Sequence, residues 1–190
     1  MLNQVNDIDM LEPLRLNHVE IIYEGKEGMI LVERRSQTLM ISMNDIEKFV
    51  KIYEKENLVK IYTSGEEFKA VETNLSDYPA LQAVYEASSG GSVKGYVYKC
   101  SVTGYGGAST PIVYLIALDK DGTYKGYEVI DASGETNGFG SKVKDQPFKD
   151  GIVGKNIGDS IDTISGATIS SSAVVDGIEQ ATQHYEENFK

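Results

Sequence analysis

The middle of the chain carries the pattern that most constrains its fold. The even-numbered residues from Tyr96 to Val102 are aromatic or apolar, and their neighbours are mostly polar or small, as in a strand with one buried face. Residues 112–118 are apolar throughout, which is typical of a central strand. Asp121-Gly122 then predicts a tight turn into a third strand over residues 124–130. The stretch therefore predicts an antiparallel sheet.

Strand and helix signals also occupy the first third of the chain. Alternating apolar residues predict three strands, around residues 19–23, 29–33 and 38–42. Asn44, followed three residues later by Glu47, resembles a capping box that opens a helix. A further strand is predicted over Leu58–Tyr62. Together these elements form a small β-β-β-α-β module.

The polar stretch Thr63–Asp77 is a linker candidate between this module and the sheet. A short helix is predicted over Pro79–Glu86, because its apolar residues recur at helical spacing. We therefore expect a small accessory module of unknown role over residues 1–75 and a second domain over residues 76–190. The predicted fold class is α+β, with an antiparallel sheet flanked by helices and preceded by the small module.

A longer helix is predicted near the C-terminus. Its apolar residues recur at spacings of four, three and four, namely Val174, Ile178, Ala181 and Tyr185. Ser170 or Ser171 is the expected N-cap, because a serine oxygen can accept from the unpaired N–H groups of a first turn. A helix N-terminus is a natural phosphate seat, and the Thr168 hydroxyl stands beside it, after the Ser165-Gly166 turn. The segment suggests a cofactor held through its phosphate, and an ordinary Ser/Thr-rich helix start is the alternative.

The composition argues against several classes of function. The formal net charge is −11, so the surface repels phosphate backbones and anionic membranes, and nucleic-acid binding is not expected. The single cysteine, Cys100, can form no intrachain disulfide and is interpreted as a small buried hydrophobe. His18 and His184 lie at opposite ends of the sequence, and no residue cluster has the spacing of zinc ligands. We therefore expect no metal site.

The sequence also lacks apolar runs long enough to span a membrane and recognisable sets of catalytic residues. No run of about 18 apolar residues occurs, so direct membrane insertion by this chain is not expected. No charged-then-apolar pattern opens the sequence, so a signal peptide is not expected. No nucleophile–base pair or similar constellation is evident, so a stand-alone enzyme is not expected.

Three short elements occur in a fixed order along the second half of the chain. The first is Gly104-Tyr105-Gly106-Gly107, and the second is Glu135-Thr136-Asn137-Gly138-Phe139-Gly140. The third runs from Asp162 through Ser165-Gly166-Ala167-Thr168 to Ser170. With these residues the chain resembles the FMN-binding domain family, which includes the G subunit of Rnf complexes and the C subunit of sodium-pumping NADH:quinone reductase. Asn137 and Phe139 replace the family's usual proline and leucine, and both replacements are compatible with a turn.

The resemblance implies a flavoprotein. In that family, a dedicated flavin transferase takes FMN from FAD and joins its phosphate to the last threonine of the third element, which is Thr168 here. It also implies a twisted antiparallel sheet, with the flavin in a cleft between the sheet and the C-terminal helix. The implied cofactor-binding residues are Tyr105, Gly106, Gly107, Glu135, Thr136, Gly138, Gly140, Asp162, Ser165, Gly166, Ala167, Thr168 and Ser170.

The resemblance implies different roles within this set. Asp162 would be part of what the transferase recognises, and Thr136 would contact the isoalloxazine ring or the ribityl chain. Glu135 would either contact the cofactor or cap its loop. Of the twelve tyrosines, Tyr105 is the one expected to stack on a flavin.

The resemblance also implies partners and a location. The chain would relay electrons between redox proteins or subunits of a membrane complex, and its acidic surface would steer a basic partner. Family members commonly carry an N-terminal membrane helix and work on the outer, extracytoplasmic face of the membrane. The sequence is therefore expected to be a shortened form of a membrane-anchored protein or a soluble member, and protein made without the transferase is expected to lack flavin.

Two other functions stay open from the sequence. The chain could be an accessory or docking module of the same fold that carries no flavin, with residues 1–75 as its working part. It could also bind FMN non-covalently in the same cleft. Replacing Thr168 by alanine separates these alternatives, because only a covalent attachment depends on that hydroxyl.

Overall fold

The computed structural model describes residues 20–22, 29–34, 37–42 and 55–190. The chain divides into two units, Met1–Asn57 and Leu58–Lys190. The first unit contains a three-stranded antiparallel sheet in the order β1-β2-β3, formed by Glu20–Ile22, Met29–Arg34 and Gln37–Ser42. These strands confirm the three that alternation predicts. The predicted helix after Asn44 lies outside the described residues.

The second unit is built on a five-stranded antiparallel sheet. Its strands follow one another in the order of the chain: β4 (Glu67–Ala70), β5 (Leu81–Ser89), β6 (Ser92–Val102), β7 (Ile112–Asp119) and β8 (Tyr124–Asp131). The turn between β7 and β8 uses Gly122 at a φ of 81°, where a side chain would be strained. The predicted strands between residues 94 and 130 and the α+β class are confirmed.

Helical segments cover both faces of this sheet. They are α1 (residues 55–61), a short 3₁₀ helix (Gly140–Lys144), α2 (Gln146–Asp150) and α3 (Thr168–Asn188). On one face, the apolar residues predicted for the C-terminal helix are at most 1% exposed and pack with Tyr98, Tyr114 and Ile116. On the other face, Leu58, Ile61 and Tyr62 pack with three sheet residues, Val97, Leu115 and Ala117. Burial on both faces explains why residues 112–118 of β7 are all apolar.

The strand predicted over Leu58–Tyr62 is wrong, because the chain is helical as far as residue 61. Leu58, Ile61 and Tyr62 are all less than 9% exposed and follow the i, i+3, i+4 spacing of one helical face. Over so few residues, the content of Val59, Ile61 and Tyr62 favours a strand equally well. Tertiary burial decides between the two patterns.

The helix predicted over Pro79–Glu86 is also wrong, because residues 81–89 form β5. The pairing of β5 with β6 shifts register between Leu81 and Ala83, as at a β-bulge. The bulge turns Leu81 and Val84 toward the same core, although an odd number of positions separates them. The spacing of three between Leu81 and Val84 is also that of a helical face, which is why the sequence predicts a helix here.

The second unit begins at Leu58, upstream of the boundary that the sequence suggests after residue 75. The linker candidate Thr63–Asp77 contains β4, whose residues pair with β5 from Glu67↔Ser88 to Ala70↔Tyr85. The five-stranded sheet therefore includes a strand from the predicted linker. A separate role for an accessory module stays a prediction.

Helix α3 can approach the sheet closely because it carries Gly177. A Cβ at this position would overlap the Tyr114 hydroxyl and lie 2.9 Å from Val102 Cγ1. Glycine to alanine in a helix normally stabilises by about 1 kcal/mol. Here we expect Gly177→Ala to destabilise the fold by about 2 kcal/mol, because overpacking outweighs propensity.

Urea unfolding of Gly177→Ala tests this expectation. Tyr114→Phe in the same background removes the overlapping oxygen and should recover part of the loss, although it also removes the hydrogen bond from Tyr114 to the Val174 carbonyl. A Gly177→Ala protein more stable than the parent would contradict the close approach.

Candidate functional site

The three sequence elements meet at one cleft in the second unit. The cleft has a volume of about 440 Å³, within the range of small-molecule sites. It is lined by Tyr105 from the first element, residues 136, 139 and 140 from the second, and residues 166–170 from the third. The N-terminus of α3 forms one side of the cleft. Sequence segments some thirty residues apart thus form one site.

The third element forms a tight turn followed directly by α3. The Ala167 N–H donates to the Ile164 carbonyl at 2.9 Å, and Gly166 has a φ of 81°. A positive φ at the third position is what a type II turn requires of its glycine. Ser171, fully buried, fastens this turn to the helix: its hydroxyl accepts from the Ile164 N–H and donates to the Ala167 carbonyl, both at 2.9 Å. The turn holds Thr168 at the first position of the helix.

The prediction that Ser170 or Ser171 caps the helix is wrong. The helix begins at Thr168, its N-cap is Ala167, and no side chain caps its first turn. Both serines lie inside that turn, where Ser171 holds the preceding turn and Ser170 donates to Glu135. The first N–H groups of a helix have no partner within it. Without a capping side chain, they are available to an anion.

Glu135 connects all three elements. Its carboxylate accepts from the Gly106 N–H at 3.0 Å and from the Ser170 hydroxyl. The side chain is only 7% exposed. Two glycines make room for it, since a Cβ at Gly104 would overlap Oε1 and a Cβ at Gly140 would overlap Oε2. Close approach to a carboxylate thus accounts for two of the glycines in the sequence elements.

The second element forms a closed loop beside the cleft. The Thr136 carbonyl accepts from the N–H groups of Phe139 and Ser141, at 3.1 and 3.2 Å. The Gly138 N–H donates to the Ser141 hydroxyl at 3.0 Å, and Gly138 has a φ of 76°. Asn137 replaces the usual proline at the start of this turn without opening it.

The predicted site residues separate into two groups. Those that line the cleft are Tyr105, Thr136, Gly140, Gly166, Ala167, Thr168 and Ser170. Those that do not line it are Gly106, Gly107, Glu135, Gly138, Asp162 and Ser165. Thr168, Asp162 and Ser165 are exposed, so a second protein can reach them.

Two lining residues were absent from the predicted site, Phe139 and Ile169. They are 56% and 59% exposed, and Tyr105 beside them is 68% exposed. Residues 55–190 have five exposed large hydrophobic side chains, and three of them surround this cleft. Such a cluster indicates a ligand or partner surface. A bulky apolar residue in a glycine-rich loop was the available signal for Phe139.

The cleft lining contains no charged side chain. The Lys142 ammonium stands 6.0 Å from the centre of the Phe139 ring, outside the lining. An anion in the cleft would therefore depend on backbone N–H groups and hydroxyls. Within residues 55–190, no group of three or more His, Cys, Asp or Glu side chains is arranged to hold a metal ion.

None of the described helices is long and apolar enough to cross a bilayer.

Comparison with known proteins identifies the family. A model of the FMN-binding domain matches residues 104–183, which include every residue that lines the cleft. The G subunit of the ion-translocating oxidoreductase complex of Methanosarcina acetivorans is 32% identical over 144 residues, covering 69% of this chain and 74% of the relative. The G subunit of the Na(+)-translocating ferredoxin:NAD(+) oxidoreductase complex of Acetobacterium woodii is 30% identical over 132 residues, covering 62% of this chain and 61% of the relative.

Other comparisons cover less or are more distant. The corresponding G subunit of Stutzerimonas stutzeri is 31% identical over 119 residues, 54% of this chain and 50% of its own length. The chain thus spans between half and three quarters of these relatives. The crystal structure of Shewanella oneidensis NqrC has a TM-score of 0.42 and 20% identity, covering 65% of this chain and 66% of that chain. The chain belongs to the FMN-binding domain family, together with the G subunits of ion-translocating oxidoreductase complexes.

Proposed function

We propose that this chain is an electron-transfer flavoprotein unit whose FMN is esterified through its phosphate to Thr168. The observation that carries the proposal is the position of the Thr168 hydroxyl. Thr168 is an exposed residue at the start of α3, where no side chain caps the helix, and it borders the cleft. Family membership supplies the identity of the cofactor.

The helix start suits a phosphate. Ser, Thr, Asp and Asn are the preferred N-caps, and alanine at this position typically costs about 1 kcal/mol. A phosphoester on Thr168 would bring anionic oxygens to the uncapped N–H groups and the positive end of the helix dipole. The alanine at position 167 is therefore consistent with a cap that the cofactor provides.

The uncharged lining favours a covalent attachment over a non-covalent one. Lysine and arginine are the side chains that most strongly bind phosphate, and they add to the backbone donors of a helix N-terminus. Here no cation lines the cleft, and the Ser170 hydroxyl is already used by Glu135. A phosphoester would retain FMN without those cations.

The apolar rim of the cleft suits the flavin ring. Tyr105, Phe139 and Ile169 offer two aromatic faces and one aliphatic side chain at the mouth of the cleft. Bound FMN supplies one- and two-electron redox chemistry. The chain would contribute tethering, orientation and shielding.

The proposed partners follow from this role. Exposed Asp162 and Ser165, beside Thr168 but outside the cleft, are accessible to a flavin transferase. The names of the relatives suggest other subunits of a membrane oxidoreductase complex as redox partners. We further propose, from the family resemblance, that the unit works at the extracytoplasmic face of the membrane.

Denaturation tests the covalent attachment. The chain is co-produced with a flavin transferase, unfolded in guanidinium chloride and passed through a desalting column. We expect flavin fluorescence to remain with the polypeptide. Release of all the flavin on unfolding would mean non-covalent binding, and protein that is colourless before unfolding would favour an accessory module without flavin.

A further inference from the structure

We propose that Glu135 is a positioning residue, which orders the acceptor end of the cleft through Ser170 and Gly106 without touching the cofactor. This inference rests on the proposed function, because the position it concerns is that of Thr168. Glu135 is not among the residues that line the cleft. Its two oxygens are instead directed to two different elements.

A carboxylate suits this connection chemically. Ionised Asp and Glu are acceptors only, and each of their oxygens can serve a separate donor. Oε1 serves the Gly106 N–H of the first element, and Oε2 serves the Ser170 hydroxyl in the first turn of α3. The backbone of Glu135 itself belongs to the second element. A single buried side chain therefore fixes three loop segments relative to one another.

The surrounding chain leaves room for a carboxylate at this place. A Cβ at Gly140 would overlap Oε2 and lie 2.7 Å from Ser170 Oγ, and a Cβ at Gly104 would lie 2.7 Å from Ile112 Cδ1 besides overlapping Oε1. The pocket around Glu135 is thus closed by glycine backbone on two sides. Burial strengthens its hydrogen bonds and makes loss of either partner costly.

Through Ser170, Glu135 also fixes the first turn of α3, which carries Thr168. Ser170 lies two residues after Thr168 in the same turn, and its hydroxyl is held by Glu135. The same turn is held from its other side by Ser171. The acceptor hydroxyl is therefore presented by a turn fixed at two points. Misplacing reacting groups by about 1 Å can slow a reaction on the order of 100-fold.

The test uses Glu135→Ala, Glu135→Gln and Ser170→Ala in the full chain. Glu128→Gln is the matched control, because Glu128 is a partly buried carboxylate that pairs with Lys149 and Lys60, outside the cleft. Two quantities are measured at a temperature at which all variants are folded. One is the rate of FMN incorporation from FAD by a purified flavin transferase. The other is amide hydrogen exchange at Gly106 and Ser171 in the flavin-free protein.

We expect Glu135→Ala to slow incorporation on the order of 100-fold and to remove exchange protection at both amides. Glu135→Gln should slow it by about tenfold or less, because its amide can still accept from Gly106 and donate to Ser170. The Glu135→Ala/Ser170→Ala double variant should be no slower than Glu135→Ala alone. The control should keep the parental rate and protection.

Three results would overturn the inference. One is parental incorporation in folded Glu135→Ala. Another is a double variant whose loss is the product of the two single losses, since this would indicate direct contact by Glu135 with cofactor or transferase. The third is unchanged exchange at Gly106 and Ser171 in both Glu135 variants. If the parent takes up no flavin, the proposed function fails, and the exchange data alone decide on the positioning role.

Discussion

Thr168→Ala is expected to carry no covalently bound flavin after co-production with a flavin transferase. The substitution removes the hydroxyl at the first position of α3, where no side chain caps the helix. Thr168 is exposed and its side chain closes no hydrogen bond in the turn, which Ser171 holds instead. We therefore expect stability to change by no more than about 0.5 kcal/mol. In-gel flavin fluorescence and urea unfolding measure the two quantities.

Two further variants control this prediction. Thr163→Ala removes another exposed hydroxyl from the same segment and should keep full labelling. Thr168→Ser keeps a hydroxyl at the acceptor position and should restore covalent flavin. Fluorescence that persists on Thr168→Ala at the parental level would place the attachment elsewhere.

Gly140→Ala is expected to disrupt the cleft and the fold together. The added methyl group would occupy the space of the Glu135 carboxylate, so Glu135 would lose its hydrogen bond from Ser170. Overpacking combined with an unpaired buried group should cost about 3 kcal/mol. We expect a correspondingly lower urea midpoint and no measurable flavin incorporation at temperatures where the parent is labelled.

Gly138→Ala provides the matched control for Gly140→Ala. Gly138 lies two residues earlier in the same loop, and a Cβ there would meet nothing within 4 Å. Its φ of 76° makes alanine strained by about 1 kcal/mol. Gly138→Ala therefore measures the cost of backbone strain alone, whereas Gly140→Ala measures the cost of the overlap with Glu135. Equal destabilisation by both would show that close approach to Glu135 is not what requires glycine at position 140.

The central strands were predictable because their environment is simple. β6 alternates between apolar and polar residues from Tyr98 to Val102, β7 is buried on both faces, and a turn with Gly122 at positive φ joins β7 to β8. β5 was not predictable in the same way, since its bulge near Leu81 replaces a period of two by a spacing of three. The prediction over Leu58–Tyr62 was wrong because the segment is short and rich in β-branched and aromatic residues, and only its packing against the sheet selects a helix.

The site was predictable as a set of segments but not as a set of roles. Family resemblance selected three elements, and the fold brings them to one cleft. The serines at the start of α3 are preferred cap residues, yet they bind Glu135 and the Ile164–Ala167 turn. No local pattern reveals this, because Glu135 lies 35 residues before Ser170. The exposure of Phe139 and Ile169 likewise depends on how distant segments meet.

The fragmentation spectrum of a single peptide tests the central claim most directly. Cleavage after lysine releases residues 156–190, which contain Thr168 together with Ser165, Ser170 and Thr163. In protein co-produced with the transferase, we expect this peptide to carry the mass of FMN less one water, and fragment ions to locate it on Thr168. An adduct on any other hydroxyl, or a labelled protein whose peptide 156–190 is unmodified, would contradict the account.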